Sequence, residues 1–234
     1  MPYYTVSAIV CAYNEEKTVK PILEVLLSHP KIGEVIAVDD GSTDRTGKII
    51  DSIKSDKLIK IHHPKNLGKG AAVVSAVKIS QGDFLLFADA DLKNFHPLHV
   101  DLLLTPVLIE PDCMVIGLRQ PHYSHEKAFG IFLRSFGGER ALRKRSILPI
   151  LDRLKNSGYG IEAILNLRLL HKGKHIYYIP LPKLIHIIKQ EKHPLYKYIS
   201  EYFKENTDII RQYLNPENKA FEAFLKQLTR RLGI

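Results

Sequence analysis

The stretch Phe84-Leu85-Leu86-Phe87-Ala88-Asp89-Ala90-Asp91 decides how the chain is read. Five apolar residues run without a break and end in two aspartates one residue apart. Such a run fits a buried strand and is too short to span a membrane. Side chains at i and i+2 of an extended chain point the same way. Asp89 and Asp91 would therefore present two carboxylates together at the carboxyl end of that strand. Open α/β sheets place their ligands there. Adjacent carboxylates repel unless a cation or a proton sits between them. An all-oxygen donor set favours Mg2+ or Mn2+, which keep waters and take further oxygens from a phosphate. A surface turn rich in aspartate would show the same pair, so the flanking sequence has to decide.

Upstream, the same pattern recurs. Val6 to Ala12 is a buried-strand run that ends in Tyr13-Asn14-Glu15-Glu16, and a helical pattern follows through Ile22, Leu23, Leu26 and Leu27. Glu34 to Val38 is a strand that stops at the turn signal Asp39-Asp40-Gly41-Ser42-Thr43-Asp44. A helix from about Arg45 to Ile53 follows, with Asp44 as its N-cap. Leu58 to Ile61 reads as a short strand, and Asn66-Leu67-Gly68-Lys69-Gly70 opens a helix carrying Ala71, Val73, Val74 and Val77. Strands alternating with helices at this spacing predict an α/β fold with a mostly parallel central sheet, flanked by helices and joined by right-handed crossovers.

Downstream, a helix is expected over Leu98 to Ile109, with Pro97 in its first turn and Pro106 imposing a kink or an early end. Cys113 to Leu118 reads as a strand. Pro121 to Arg145 reads as helix, glycine break at Gly137-Gly138, helix. Ser157-Gly158-Tyr159-Gly160 is a loop into a helix with Glu162 near its start. His175 to Ile179 and Leu184 to Ile188 read as strands. From Pro194 the pattern is helical. One apolar stripe runs Leu195, Tyr198, Ile199, Tyr202, Phe203 and a second Phe221, Phe224, Leu225, Leu228, Leu232.

A chain of 234 residues with 45% hydrophobic content suits one large domain with an appended arm. Residues 1–192 are expected to form the domain, in two halves over 5–118 and 119–192. Residues 193–234 would form the amphipathic arm. Cys11 and Cys113 lie in apolar runs and read as core residues of a reducing compartment. No leader pattern follows Met1 and no run reaches the ~18 apolar residues of a spanning helix, so a cytoplasmic protein is expected. Net charge is +9 but uneven: residues 1–116 carry 12 basic and 15 acidic residues, 117–174 carry 12 and 4, and 175–234 carry 10 and 6. The basic excess begins after the first half and suits an anionic partner met by the middle segment, a phosphate, an acidic lipid or nucleic acid, although solvated surface charge has the same composition.

Four polar clusters, Asn14-Glu15, Asp39-Asp40, Asn66 to Gly70 and Asp89/Asp91, follow predicted strands or open helices. In a parallel sheet those ends share one edge. Carboxylates accept hydrogen bonds from a base or ribose. Glycines let backbone approach closely, and Lys69 or its helix N-terminus can meet phosphate. The combination is a site for a nucleoside diphosphate bearing a leaving group.

With these motifs in order, the chain resembles family 2 glycosyltransferases of GT-A fold. The resemblance rests on Cys11-Ala12-Tyr13-Asn14-Glu15 against PxYNE, Val38 to Asp44 against VDDGSTD, Asn66-Leu67-Gly68-Lys69-Gly70, and the DxD at Asp89-Ala90-Asp91. It covers about residues 5–118. The second half is similar to dolichyl- and polyprenyl-phosphate sugar synthases through Gly138-Glu139-Arg140-Ala141-Leu142 and Ser157 to Glu162. Gln190-Glu191-Lys192 departs from their G-x-S-K. The Gly158-Tyr159-Gly160-Ile161-Glu162 block also resembles glucosyl-3-phosphoglycerate synthases.

The resemblance implies a UDP- or GDP-sugar donor held by Ala12, Tyr13, Glu15, Asp39, Asp40, Asn66, Lys69, Gly70, Asp89 and Ala90. It implies a divalent metal on Asp89 and Asp91, with His186 completing the site as in the phosphoglycerate enzymes. Asp91 would act in catalysis through that metal. The family generally inverts the anomeric centre, and a hydroxyl acceptor would need a base, Glu139 or Glu162. An anionic or lipid-linked acceptor such as polyprenyl phosphate would need no base and would want cations, for which Arg119, Arg134, Arg140 and Arg143 are candidates. Retaining transfer to a small phosphoglycerate-like acceptor is the alternative. The C-terminal stripes suit packing on the domain, a homodimer or peripheral membrane contact, the last favoured by Lys197, Lys204, Arg230 and Arg231.

Other classes fit less well. A nucleotidyltransferase would place a basic Gly-rich loop after the first strand, where this chain has Glu15 and Glu16. No G-x-G-x-x-G follows a strand, and Gly41 to Lys48 is one residue too long for a P-loop. A nucleic-acid binder has no use for Asp39, Asp40, Asp89 and Asp91 together, which repel a phosphate backbone.

Overall fold

The computed structural model of the protein describes residues 4–119, 137–155, 161–171 and 173–186. The expected C-terminal arm over 193–234 lies outside the described residues.

The Phe84–Asp89 run forms β4, and Phe84, Leu85 and Leu86 are each 0% exposed. Consecutive rather than alternating burial means that both faces of the strand are covered, as in parallel sheets with helices on either side. β1 (Val6–Ala12) lies against it in parallel and carries β2 (Glu34–Asp39) on its other edge, followed by β3 (Leu58–His62). The connections are α1 (Val19–Ser28), α2 (Thr46–Ser52) and α3 (Lys69–Ile79).

After β4 come a short β5 (Leu92–Lys93) and α4 (Pro97–Ile109). β6 (Met114–Arg119), β7 (Arg140–Arg143) and β8 (Ile176–Leu181) complete a seven-stranded sheet of order β3-β2-β1-β4-β7-β6-β8. Between β7 and β8 lie α5 (Lys144–Ile147), a 3-10 turn over Leu148–Ile150, α6 (Leu151–Leu154) and α7 (Ile161–His171). β9 (Ile185–His186) pairs with β5 in a separate antiparallel ribbon.

The strand pleat sorts the core into two layers. Ala8, Val10, Phe84 and Leu86 face Leu23 and Leu26 of α1 and Leu103 and Leu104 of α4. Ile9, Leu85 and Phe87 face Val73 and Val77 of α3 and Leu165 of α7.

One expectation is corrected and two are refined. Arg140–Arg143 is a strand and not a helix: β7 runs antiparallel to both β4 and β6, with Ala141 opposite Leu86 and Val115. Ala141 and Leu142 are 0% exposed, and filling the gap between two hydrogen-bonding edges outweighs the helical preference of Ala, Leu and Arg. Of the kink or early end expected at Pro106, the early end does not occur: α4 continues to Ile109, as expected. The strand expected over 184–188 is present among the described residues at Ile185–His186, where it pairs with β5 outside the seven-stranded sheet.

Leu86 belongs to the layer under α1 and α4 and enters it from the central strand. Leu86→Ala should lower unfolding free energy by about 2–5 kcal/mol, the range for a leucine-sized cavity. A urea titration that leaves the midpoint unchanged would show that this layer is not the core.

Candidate active site

The carboxyl ends of β1, β2 and β4 lie side by side: Ala12 pairs with Asp39, and Cys11 with Asp89. Each ends in a polar turn. After β1, Ala12 is buried and Tyr13 is 45% exposed. Asn14 takes a left-handed backbone, φ 57°, which Asn tolerates better than most residues. Its side-chain oxygen accepts the Thr43 N–H at 2.8 Å and its own N–H donates to Ser42 Oγ at 3.0 Å. The Glu15 N–H donates to Thr46 Oγ1 at 2.8 Å, and the Glu15 carboxylate accepts the Thr18 hydroxyl at 3.2 Å. α2 begins one residue later than expected, so Arg45 holds the N-cap position and Asp44 stands just before it. Asp44 still accepts the Thr46 N–H of the first turn, at 2.8 Å.

Asp39 and Asp40 are 7% and 3% exposed. Asp39 accepts the Ser42 N–H at 3.0 Å, and its other oxygen lies 3.2 Å from His62 Nδ1. The Asp40 N–H donates to the Ala12 carbonyl. Its carboxylate accepts backbone N–H groups from Leu67 at 3.0 Å and Gly68 at 2.8 Å and lies 2.6 Å from His63 Nδ1. Asp40 thus ties the Asn66–Gly70 segment to the ends of β1 and β2. Asn66 is exposed and Gly70 buried in the first turn of α3.

Lys69, the first residue of α3, reaches into the centre. Its ammonium is 2.9 Å from Asp89 Oδ1 and 2.8 Å from Glu162 Oε1, with side-chain exposures of 24%, 18% and 6% for the three groups. Burial disfavours the Lys69 cation, but Asp89 and Glu162 outweigh it and hold its pKa above the usual lysine value. Beneath lies Cys11, which burial pushes up to about 12 despite Lys69 nearby; it is a thiol at neutral pH. Gly138 closes the far side: a Cβ there would fall 2.1 Å from Asp89 Oδ1, so only glycine lets the backbone approach that carboxylate. Asp91 follows in the turn after β4, with Ala90 buried between the two aspartates.

Of the two candidate bases, Glu162 joins this cluster and Glu139 is fully buried beside β7. Burial lowers the pKa of nearby His99, opposed by its bond to the Pro182 carbonyl; Glu139 also favours the His99 cation. The arginines divide. Arg140 turns inward at 1% exposure, donating to Gly137 O at 2.6 Å and Asn166 Oδ1 at 3.3 Å, which braces β7 against α7. Arg143 lies at the other end of β7, its guanidinium 6.0 Å from the Phe84 ring centroid. The Arg119 and His186 backbones sit in β6 and β9, while their side chains, and all of Arg134, lie outside the described residues.

Sequence reasoning gave His63 and Ser75 no role, yet both stand directly behind Asp40. The inward turn of Arg140 was also missed, since sequence does not distinguish a basic face from a buried strut. Gly138 was quoted only as part of a motif, and nothing along the chain reveals which carboxylate it meets.

Among the described residues no helix is long and apolar enough to cross a membrane. The dolichyl-phosphate beta-glucosyltransferase ALG5C of Trichomonas vaginalis aligns over 145 residues at 32% identity, covering 56% of this chain and 43% of that protein. Glucosyl-3-phosphoglycerate synthase of Mycobacterium tuberculosis aligns over 157 residues at 34% identity, covering 63% and 48%. The chain therefore spans about half the length of these relatives. The crystal structure of the M. tuberculosis synthase with Mn2+, UDP-glucose and phosphoglyceric acid shares the fold, with a TM-score of 0.69 and 22% identity over 89% of this chain and 79% of that one. The family model for glycosyl transferase family 2 matches residues 7–160, well over half of the chain, and the protein belongs to that family.

Proposed function

We propose that the protein transfers a glycosyl group from a nucleotide-diphosphate sugar to an acceptor that carries a phosphate. The observation that carries this reading is the Lys69 ammonium set between Asp89 and Glu162 at the edge where β1, β2 and β4 end, in a member of this family. The relatives support the acceptor class. Their names specify dolichyl phosphate, undecaprenyl phosphate and 3-phosphoglycerate, which share a phosphate group. The donor reading, UDP or GDP, draws on the synthase crystallised with UDP-glucose.

A divalent cation fits the donor set. Among the described residues no three His, Cys, Asp or Glu side chains form a protein-only cage. Mg2+ needs none, because it binds through one or two carboxylates plus substrate phosphates. Asp89 and Asp91 would hold Mg2+ or Mn2+, the ions found with the synthase. Bound there, it would offset charge growing on the departing diphosphate.

The chain's own residues do the rest. Asp40 fixes the Leu67-Gly68 backbone, and through it the start of α3. Lys69 offers a permanent positive charge toward the diphosphate. Glu162, paired with Lys69, is the carboxylate positioned to meet a sugar hydroxyl or accept the proton of an acceptor hydroxyl; a phosphate acceptor arrives already anionic. Inverting transfer to a polyprenyl phosphate is the first reading. Retaining transfer to a phosphoglycerate-like acceptor is the second, favoured by the 34% identity to glucosyl-3-phosphoglycerate synthase.

UDP with Mn2+ should raise the melting temperature, corresponding to about 2.7 kcal/mol at a hundred times Kd. No response to UDP, GDP or other nucleotides would defeat the donor reading. Asp91→Ala should cut metal-dependent sugar transfer by about 100-fold or more, the scale of losing transition-state charge stabilisation; undiminished turnover would remove Asp91 from the reaction.

Lys69→Met should cost about 1–3 kcal/mol of stability, less than for a fully buried pair because all three groups keep some solvent contact. A urea titration reads that loss, and an unchanged midpoint would contradict the triad.

A further inference from the structure

We propose that His63 is a positioning residue that locks Asp40 and thereby sets where Lys69 points. The inference rests on the donor-site reading above and adds a residue to it.

His63 follows β3 and its side chain is 9% exposed, against 5% for Asp40. Its Nδ1 lies 2.6 Å from Asp40 Oδ1 and its Nε2 lies 2.9 Å from Ser75 Oγ on α3. An ionised carboxylate only accepts, so Nδ1 carries the proton. In the neutral ring Nε2 then accepts from the Ser75 hydroxyl. The His63 N–H also donates to the Asp39 carbonyl at 2.9 Å. The imidazole is therefore held at both ring nitrogens, by Asp40 after β2 and by Ser75 of α3, while the His63 backbone is tied to the end of β2.

The bonds continue in one direction. Asp40 Oδ1 takes His63 and the Leu67 N–H, and Oδ2 takes the Gly68 N–H. Gly68 sits at φ 90° as the residue before α3. The next residue is Lys69, with Asp89 and Glu162 at its tip. Without a donor from His63, one side of the Asp40 carboxylate is released, and the grip on Leu67 and Gly68 loosens with it. The residue that aims the lysine is thus three steps away from it.

The test uses the full chain with His63→Ala, His63→Asn and His63→Gln. The asparagine amide nitrogen falls where Nδ1 sits; the glutamine amide nitrogen falls where Nε2 sits. Amide hydrogen exchange at Leu67 and Gly68 is read by NMR, and affinity for UDP with Mn2+ by calorimetry. In the Ala and Gln variants, exchange at both amides should rise about tenfold and UDP should bind about tenfold more weakly, the scale of one hydrogen bond to a charged group. The Asn variant should stay within about threefold of wild type on both readings. Unchanged exchange in the Ala variant, or rescue by Gln equal to rescue by Asn, overturns the proposal. Should the Ala variant not fold, the contrast between Asn and Gln decides by itself. Failure of the wild type to bind any nucleotide would sink the donor reading instead, and the exchange data would still decide whether His63 holds the loop.

Discussion

Two carboxylates from opposite halves of the chain, Asp89 on β4 and Glu162 on α7, share one cation, Lys69. The ammonium offsets the repulsion between the two negative charges it bridges. The arrangement therefore couples three separate pieces: the loop that starts α3, the central strand, and the helix that begins at residue 161. The rest of the site is built around keeping that meeting point in register. Gly138 leaves room for Asp89, Arg140 braces the start of α7, and Asp40 holds the entry to α3.

This economy explains why so many charged residues are buried at one edge. Asp39, Asp40, Glu139, Arg140 and Glu162 are all under 9% exposed. Buried charge is costly unless paired and hydrogen-bonded. Here Asp40 collects backbone N–H groups and Arg140 collects carbonyls, so each also organises a loop that lacks regular structure of its own.

The parallel half was legible because its physics is local. Apolar runs such as Val6–Ala12 and Phe84–Ala88 end at turn-forming acids, and burial on both faces leaves no other reading. The resemblance to family 2 glycosyltransferases was legible for the same reason, since each motif closes a strand or opens a helix. The second half was legible in part: β6, β8 and α7 fall where expected, and β7 does not. Arg140–Arg143 has the composition of a helix and becomes a strand only because β4 and β6 both present edges to it. The direction in which Arg140 points depends on Asn166 and Gly137, partners that no spacing rule connects. Glu162 and Lys69 meet from opposite ends of the domain's sequence, and pattern alone offered Glu139 on equal terms.

Among the described residues, β6 and β8 join β4 only through the four-residue strand β7. As the chain emerges from the ribosome, β1 to β4 are complete long before Arg143 appears. Until then the Phe84-Leu85-Leu86-Phe87 edge has no partner on one side, an uncharged template on which another nascent copy can pair. Any delay in delivering Arg140–Arg143 to that edge therefore lengthens the time for which the central strand is open to such pairing.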